Sequence, residues 1–278
     1  MEAGYCTLKN SSVYYCRWGT GPQLVIAFHG YGESSASFAF VGEALPEEYT
    51  LLAIDLPFHG KTEWKEGRCF SPEDLRTLLE IIVARIPGIT DGWRLAGYSM
   101  GGRVALQLLE IMPEKIRRLV LLAPDGVKVN GWYWLATRTG PGNGLFRWTM
   151  RRPGWLFFLL RAGNALRLVN PSVYKFTAHY IADDRVRQDL YTRWTSMRDF
   201  RPTLSKVKKI IRSQHLPVRL LYGRHDRIIR WENGDRFCKD IGPSCQLTLL
   251  PSGHQLLQPS HLDAILLAIG AVGEPPLR

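Results

Sequence analysis

Arg94-Leu95-Ala96-Gly97-Tyr98-Ser99-Met100-Gly101-Gly102-Arg103 is the stretch that decides the fold. It reads as a buried strand running straight into a helix, with one serine at the corner. Gly97-Tyr98-Ser99-Met100-Gly101 fits the G-x-S-x-G elbow, in which the serine sits on a strained strand-to-helix turn. Backbones pass closely there, so the positions two residues either side must lack side chains. The turn lifts the hydroxyl clear of the sheet and sets it at a helix N-terminus. The amide of Met100 is then aimed at a developing oxyanion. The pattern alone occurs by chance. An apolar strand before it and Val104-Ala105-Leu106-Gln107-Leu108-Leu109 after it as a helix supply the context.

The same strand-then-helix alternation runs outward in both directions. Upstream, residues 5–20 alternate weakly around a turn at Lys9-Asn10-Ser11-Ser12 and predict an edge hairpin. Leu24-Val25-Ile26-Ala27-Phe28 and Leu51-Leu52-Ala53-Ile54 are continuous apolar runs, as expected of strands covered on both faces. A helix is predicted over 34–45. Ser71-Pro72-Glu73-Asp74 opens another with Ser71 as N-cap and Pro72 at the first helical position, running to about Ile86. Downstream, strands are predicted at 119–124, 218–223 and 246–250, with helices over 232–241 and 256–270. Repeated units of this kind give an α/β fold with a doubly wound, mostly parallel sheet. Between 127 and 213 the alternation gives way to helical periodicity rich in Trp and Arg, broken at Pro141-Gly142, Pro153-Gly154 and Pro171. The domain reading is therefore a core of residues 1–126 and 214–278 carrying an inserted helical lid of 127–213.

Active residues in such sheets lie at the carboxyl ends of strands. Those ends carry His29-Gly30, Asp55, Ser99, Asp125, Asp226 and His254. A serine is a weak nucleophile at neutral pH and needs a base, which in turn needs an orienting acid. His254, in Pro251-Ser252-Gly253-His254, is the chosen base, and Asp226, in Gly223-Arg224-His225-Asp226, the chosen acid. Asp125 competes for the acid; His225, His261 and His59 compete for the base. The second oxyanion donor, opposite Met100, is expected to be the amide of Tyr31 in His29-Gly30-Tyr31-Gly32. Gly30 lets the backbone approach substrate, and His29 is expected to hold the loop by hydrogen bonds. This chemistry requires no metal or organic cofactor, and none is suggested.

With these motifs the chain resembles the α/β-hydrolase family over nearly its whole length. The motifs are His29-Gly30-Tyr31-Gly32, Asp55-Leu56-Pro57-Phe58-His59-Gly60, Gly97-Tyr98-Ser99-Met100-Gly101-Gly102, Gly223-x-x-Asp226 and Gly253-His254. The resemblance implies a helical lid between the sixth and seventh strands, which 127–213 matches. In the family's Asp-x-x-Gly-His-Gly loop Phe58 stands where Gly is usual, and that loop is structural, so His59 is expected to bond the backbone. Aspartate-nucleophile members are disfavoured because position 99 is Ser. The elbow through Arg103 is also similar to that of the menaquinone-pathway SHCHC synthase, in which an arginine one turn past the serine binds substrate carboxylates. The resemblance thus implies Arg103 as a substrate contact, and Gly30 and Tyr98 are expected beside it. It leaves two readings besides a serine esterase or thioesterase: a pyruvate-eliminating lyase on an anionic substrate, and a non-catalytic small-molecule receptor. A receptor has no need to keep all three groups.

Charge adds a location. The chain of 278 residues has 36 Lys and Arg against 25 Asp and Glu, a net +11. Residues 127–213 hold 17 basic and 4 acidic side chains, or +13; the remainder holds 36 − 17 = 19 and 25 − 4 = 21, or −2. The excess points to an acidic or acyl small-molecule substrate, or to peripheral contact of the basic lid with an anionic membrane, unless it is simply a solvated face. Nucleic acid is disfavoured because no binding motif accompanies the charge. Lid aromatics (Trp132, Tyr133, Trp134, Trp148, Trp155, Phe157, Phe158, Tyr174, Phe176, Tyr180, Tyr191 and Trp194) are available to line an acyl or ring pocket. Met150 to Arg161 is apolar and arginine-flanked, suited either to a membrane interface or to packing on the core with its arginines reaching water. No apolar run approaches the ~20 residues of a membrane span, and the N-terminus does not read as a signal peptide. Five scattered cysteines argue against a disulfide framework or a zinc site and suit a reducing, cytoplasmic setting.

Overall fold

The structure is a computed structural model that describes residues 1–90, 92–128, 131–166 and 182–273. Tyr174, Phe176, Tyr180, the Pro171 break and the C-terminal tail from 274 lie outside them. The backbone divides into two compact units.

The first unit comprises Met1–Glu66, Ser71–Val129 and Phe200–Arg278. It is built on an eight-stranded sheet: β1 Glu2–Leu8, β2 Ser11–Trp18, β3 Gln23–Phe28, β4 Tyr49–Ile54, β5 Trp93–Tyr98, β6 Ile116–Leu122, β7 Val218–Gly223 and β8 Cys245–Leu250. Their order across the sheet is β1-β2-β4-β3-β5-β6-β7-β8. The β1–β2 hairpin forms the antiparallel edge, and β2 runs antiparallel to β4. Every other pairing is parallel. Period-two alternation sorts the strand residues between faces. Val25, Ala27, Leu51, Ala53, Ala96, Val120 and Leu122 join one core with Phe38, Val41, Ile265 and Ile269. The last two of these belong to α10 (Leu262–Ile269), and Val41 to α1 (Ala39–Ala44). α2 (Pro72–Val83) and α3 (Met100–Ile111) pack together, and α8 (Leu204–Ser213) packs on α3 and on α9 (Trp231–Ile241).

Local chemistry sets the element ends. Ser71 caps α2 in a capping box: its hydroxyl accepts the Asp74 amide, and the Asp74 carboxylate accepts the Ser71 amide. The helix ends at Val83, three residues short of the expected Ile86. The helix expected over 34–45 is a 3-10 turn, Ser35–Phe38, followed by α1, and the buried Asp55 carboxylate takes the otherwise unpartnered first-turn amide of Ser35 at 2.6 Å. The helix expected over 256–270 begins at Pro259 with a 3-10 turn, since proline has no amide to donate to a preceding turn. His261 is thus the N-cap of α10 rather than an interior residue.

Two departures from expectation are larger. Cys238 and Cys245 form a disulfide joining the end of α9 to the start of β8. Spacing alone concealed the pair, because it is the turn between these two elements that brings their Cα atoms to 5.0 Å. The boundary of the inserted segment also moves. The second unit is Gly67–Phe70 with Asn130–Asp199. α8, placed by sequence in the insertion, joins the first unit because Val207 and Ile211 are fully buried on its apolar side.

The second unit contains α4 Gly131–Arg138, α5 Gly140–Arg151, α6 Gly154–Ala165 and α7 Asp184–Ser196. Its interior is aromatic: Phe146 packs 5.3 Å from Tyr191 and 5.8 Å from Trp194, and Tyr133 lies 5.4 Å from Trp194. Arg187 is buried, with its guanidinium donating to the carbonyls of Met150 and Ala182. The segment Gly67–Phe70 is tied in by the Phe70 amide on Ser196 O and by Cys69 Sγ on Asp199.

In the loop after β4, Asp55 also accepts the Lys61 amide at 2.7 Å. Phe58 sits at φ 62°, in the left-handed region, which accounts for the glycine usual there. Gly60, at φ 53°, has no room for a side chain: a Cβ would lie 1.8 Å from Asp55 Oδ2. Gly60→Ala is therefore expected to destabilise the chain by about 2 kcal/mol or more. Urea unfolding is the check; a loss below about 0.5 kcal/mol would mean that this loop does not depend on the contact.

Candidate active site

β5 is flanked by β3 and β6, so the loop after β3 and the elbow after β5 emerge side by side. Ser99 lies between β5 and α3 with φ 49° and ψ −113°, a strained conformation for a non-glycine residue. The turn is held by the Ser99 amide on Leu122 O at 2.9 Å and by Ser99 O, which accepts the amides of Gly102 and Asp125. The glycines are needed for space. A Cβ on Gly101 would sit 2.0 Å from Phe28 O, and one on Gly97 2.5 Å from Gly101 O.

Asp226 and His254 follow β7 and β8, and these loops are pressed together. A Cβ on Gly223 would lie 2.0 Å from Gly253 O, and the His225 amide donates to Ser252 O at 2.9 Å. That contact brings the acid to the imidazole. His254 Nδ1 is 2.7 Å from Asp226 Oδ2, and His254 Nε2 is 3.0 Å from Ser99 Oγ. The carboxylate fixes the tautomer: Nδ1–H donates to it, and Nε2 is left to accept the serine proton. The other carboxylate oxygen, Oδ1, accepts the amides of Ile228 and Ile229 at 2.7 and 2.9 Å. Burial opposes the ionised form of Asp226. The His254 hydrogen bond and the two amides outweigh it, and hold the carboxyl below the usual carboxylate range.

The loop 29–32 is braced as expected. His29 Nε2 accepts the Leu56 amide at 3.1 Å, so Nδ1–H donates to Gly30 O at 2.7 Å. His59 is buried with Nδ1 2.9 Å from Pro57 O. The Gly30 amide is directed at Glu33 Oε2, 3.4 Å away. Tyr31 is half-buried, its ring 6.0 Å from that of His59. Met100, as the first residue of α3, has an amide without an intrahelical partner.

The remaining candidates are placed otherwise. Asp125 and Arg103 face each other, with Arg103 Nε 3.5 Å from Asp125 Oδ2 and the arginine side chain only 8% exposed. Tyr98, expected against substrate, directs its hydroxyl to Gln255 Oε1 at 3.0 Å and to His254 O at 3.3 Å. Burial, then the Glu33 and Asp226 charges, push the Tyr98 phenol well above its usual value, so it stays a donor. Gln255 Nε2 continues to Glu33 Oε1 at 3.3 Å, linking the loop of His254 to that of Tyr31. Gln255 and Glu33 were not singled out from the sequence. Their only signal is that each directly follows a motif.

Comparisons agree with this architecture. A pimeloyl-acyl-carrier protein methyl ester esterase of Nitrosomonas europaea is 27% identical over 259 residues, covering 88% of this chain and 93% of that protein. The thioesterase domain from the curacin biosynthetic pathway has a TM-score of 0.63 at 18% identity, covering 97% of this chain and 99% of that one. A thermophilic esterase from Thermogutta terrifontis has a TM-score of 0.63 at 19% identity, covering 97% and 96%. Residues 21–258 match the model of the serine aminopeptidase S33 family. With its parallel sheet and the serine elbow after β5, the chain belongs to this family of hydrolases with the α/β-hydrolase fold.

Proposed function

We propose that the protein hydrolyses carboxylic esters or thioesters through Ser99, His254 and Asp226, with the amides of Tyr31 and Met100 as the oxyanion hole. The observation that carries this reading is the continuous hydrogen-bond chain Ser99 Oγ–His254 Nε2 and His254 Nδ1–Asp226 Oδ2. Ser99 Oγ attacks the acyl carbon while its proton passes to His254 Nε2. The carbonyl oxygen takes the negative charge and meets the two amides. The imidazolium, stabilised by ionised Asp226, then protonates the departing alcohol or thiol. Water enters, loses its proton to His254 and attacks the acyl-enzyme, releasing the acid and restoring Ser99. The position of Arg103 favours the hydrolase over the lyase reading: its guanidinium faces Asp125 rather than standing free for a substrate carboxylate.

The Nitrosomonas relative is named for a methyl ester and the matched family for aminopeptidase activity, so ester and amide substrates need direct comparison. The test is hydrolysis of p-nitrophenyl esters from acetyl to dodecanoyl beside aminoacyl p-nitroanilides. Ester turnover exceeding anilide turnover at every useful chain length is expected. Turnover of anilides alone would reject the ester reading.

A further inference from the structure

α6 wears its apolar stripe on the outside. Trp155, Phe158, Leu159 and Leu166 fall at i, i+3, i+4 and i+11, the spacing of one helical face. On an ordinary surface helix that face is turned to the core. Here Phe158 is 70% exposed, Leu159 52% and Leu166 69%, and no described residue of α6 is buried. The stripe continues onto α5 through Trp148, which stacks on Trp155 at 5.9 Å and is itself 48% exposed, beside Leu145 at 55%. Arg147, Arg151, Arg152 and Arg161 are interspersed, all exposed. From residue 127 to residue 182 the sequence holds no Asp or Glu.

We propose that this α5–α6 face docks on an anionic lipid bilayer. The large apolar side chains would enter the acyl boundary, the tryptophans would sit at the interface, and the arginines would meet headgroup phosphates. Charge decides against a second copy of this chain as occupant. Two such faces would set arginines against arginines with no acid between them to pair. Length decides against insertion across the membrane. α6 has 12 residues, or about 18 Å of helix against ~30 Å of hydrocarbon, so it lies in the interface plane. Among the described residues no helix is long and apolar enough to cross a membrane.

The test is co-sedimentation of the full chain with vesicles of phosphatidylcholine alone and of phosphatidylcholine with equal phosphatidylglycerol, at low and high salt. Binding is expected to the anionic vesicles and to weaken as salt rises. Arg151→Ser with Arg152→Ser is expected to lower partitioning about 30-fold. Phe158→Ser with Leu159→Ser is expected to lower it about tenfold or more. All four positions are solvent-exposed, and circular dichroism of each variant confirms that it is folded. No binding to anionic vesicles would overturn the proposal. So would undiminished binding by the Phe158/Leu159 variant, which would mean adhesion by net charge alone. A solution dimer that the same variant dissociates would assign the face to a second copy instead.

Discussion

Ser99→Ala is expected to lower kcat on the preferred p-nitrophenyl ester by about 10^6-fold with little change in KM. The loss is large because the covalent route disappears altogether. What remains is the oxyanion hole and binding, worth a residual about 10^3 to 10^4 over water. Both residues have the same Cβ, so alanine keeps the backbone at φ 49° without a new clash, and the amides that hold the turn to Leu122 and from Gly102 are unaffected. Thermal unfolding of the variant should accordingly match that of the parent. Retention of more than a few per cent of the activity would mean that another group attacks the substrate. A drop in activity accompanied by loss of folding would leave the elbow structural, not chemical.

Asp226→Asn is expected to lower kcat by about 10^4-fold, through the tautomer rather than through geometry. Oδ1 of Asp226 accepts two amides, from Ile228 and Ile229, so an asparagine must keep its carbonyl there. Its NH2 then faces His254 Nδ1, which has to accept. The ring proton moves to Nε2 and points at Ser99 Oγ, where a base is needed. The same substitution has a second signature. The carboxyl is held below its ordinary value of about 3.9, so its ionised form stabilises the fold at neutral pH, and that contribution is lost as pH falls from the ordinary value through the lowered one. Asparagine has no such proton to bind. As pH falls below about 4 the variant should lose stability less steeply than the parent. Equal slopes in urea titrations across that range would contradict the assignment of the lowered carboxyl to Asp226.

Much of this site is legible in the sequence because each member follows an apolar strand. Ser99, Asp226 and His254 come one, three and four residues after the ends of β5, β7 and β8, and strand ends in parallel sheets converge on one edge. Glycines mark the close approaches: Gly97 and Gly101 around the elbow, and Gly223 where the acid loop meets the backbone of the base loop. What sequence does not carry is the direction in which a long side chain turns. Arg103 lies one turn past the serine on α3, yet its guanidinium faces Asp125. The hydroxyl of Tyr98 crosses to the loop of His254, 156 residues away, a contact that no local pattern encodes. Period and burial are likewise separate. The 3.6-residue stripe of α6 is plain in the sequence, but the same stripe serves for packing or for an outward face, and only the fold shows it outward. The Cys238–Cys245 bond was hidden for a related reason, since its ends meet only once α9 and β8 have formed.

The account stands most directly on the nucleophilicity of Ser99, and a fluorophosphonate probe reads it without knowledge of the substrate. The protein is incubated with the probe, digested and mapped by mass spectrometry. The expected result is one adduct per chain, on the peptide containing Ser99, formed far more slowly when His254 is replaced by alanine. An unlabelled Ser99 in folded protein, or labelling indifferent to His254, would contradict the Ser99–His254–Asp226 mechanism.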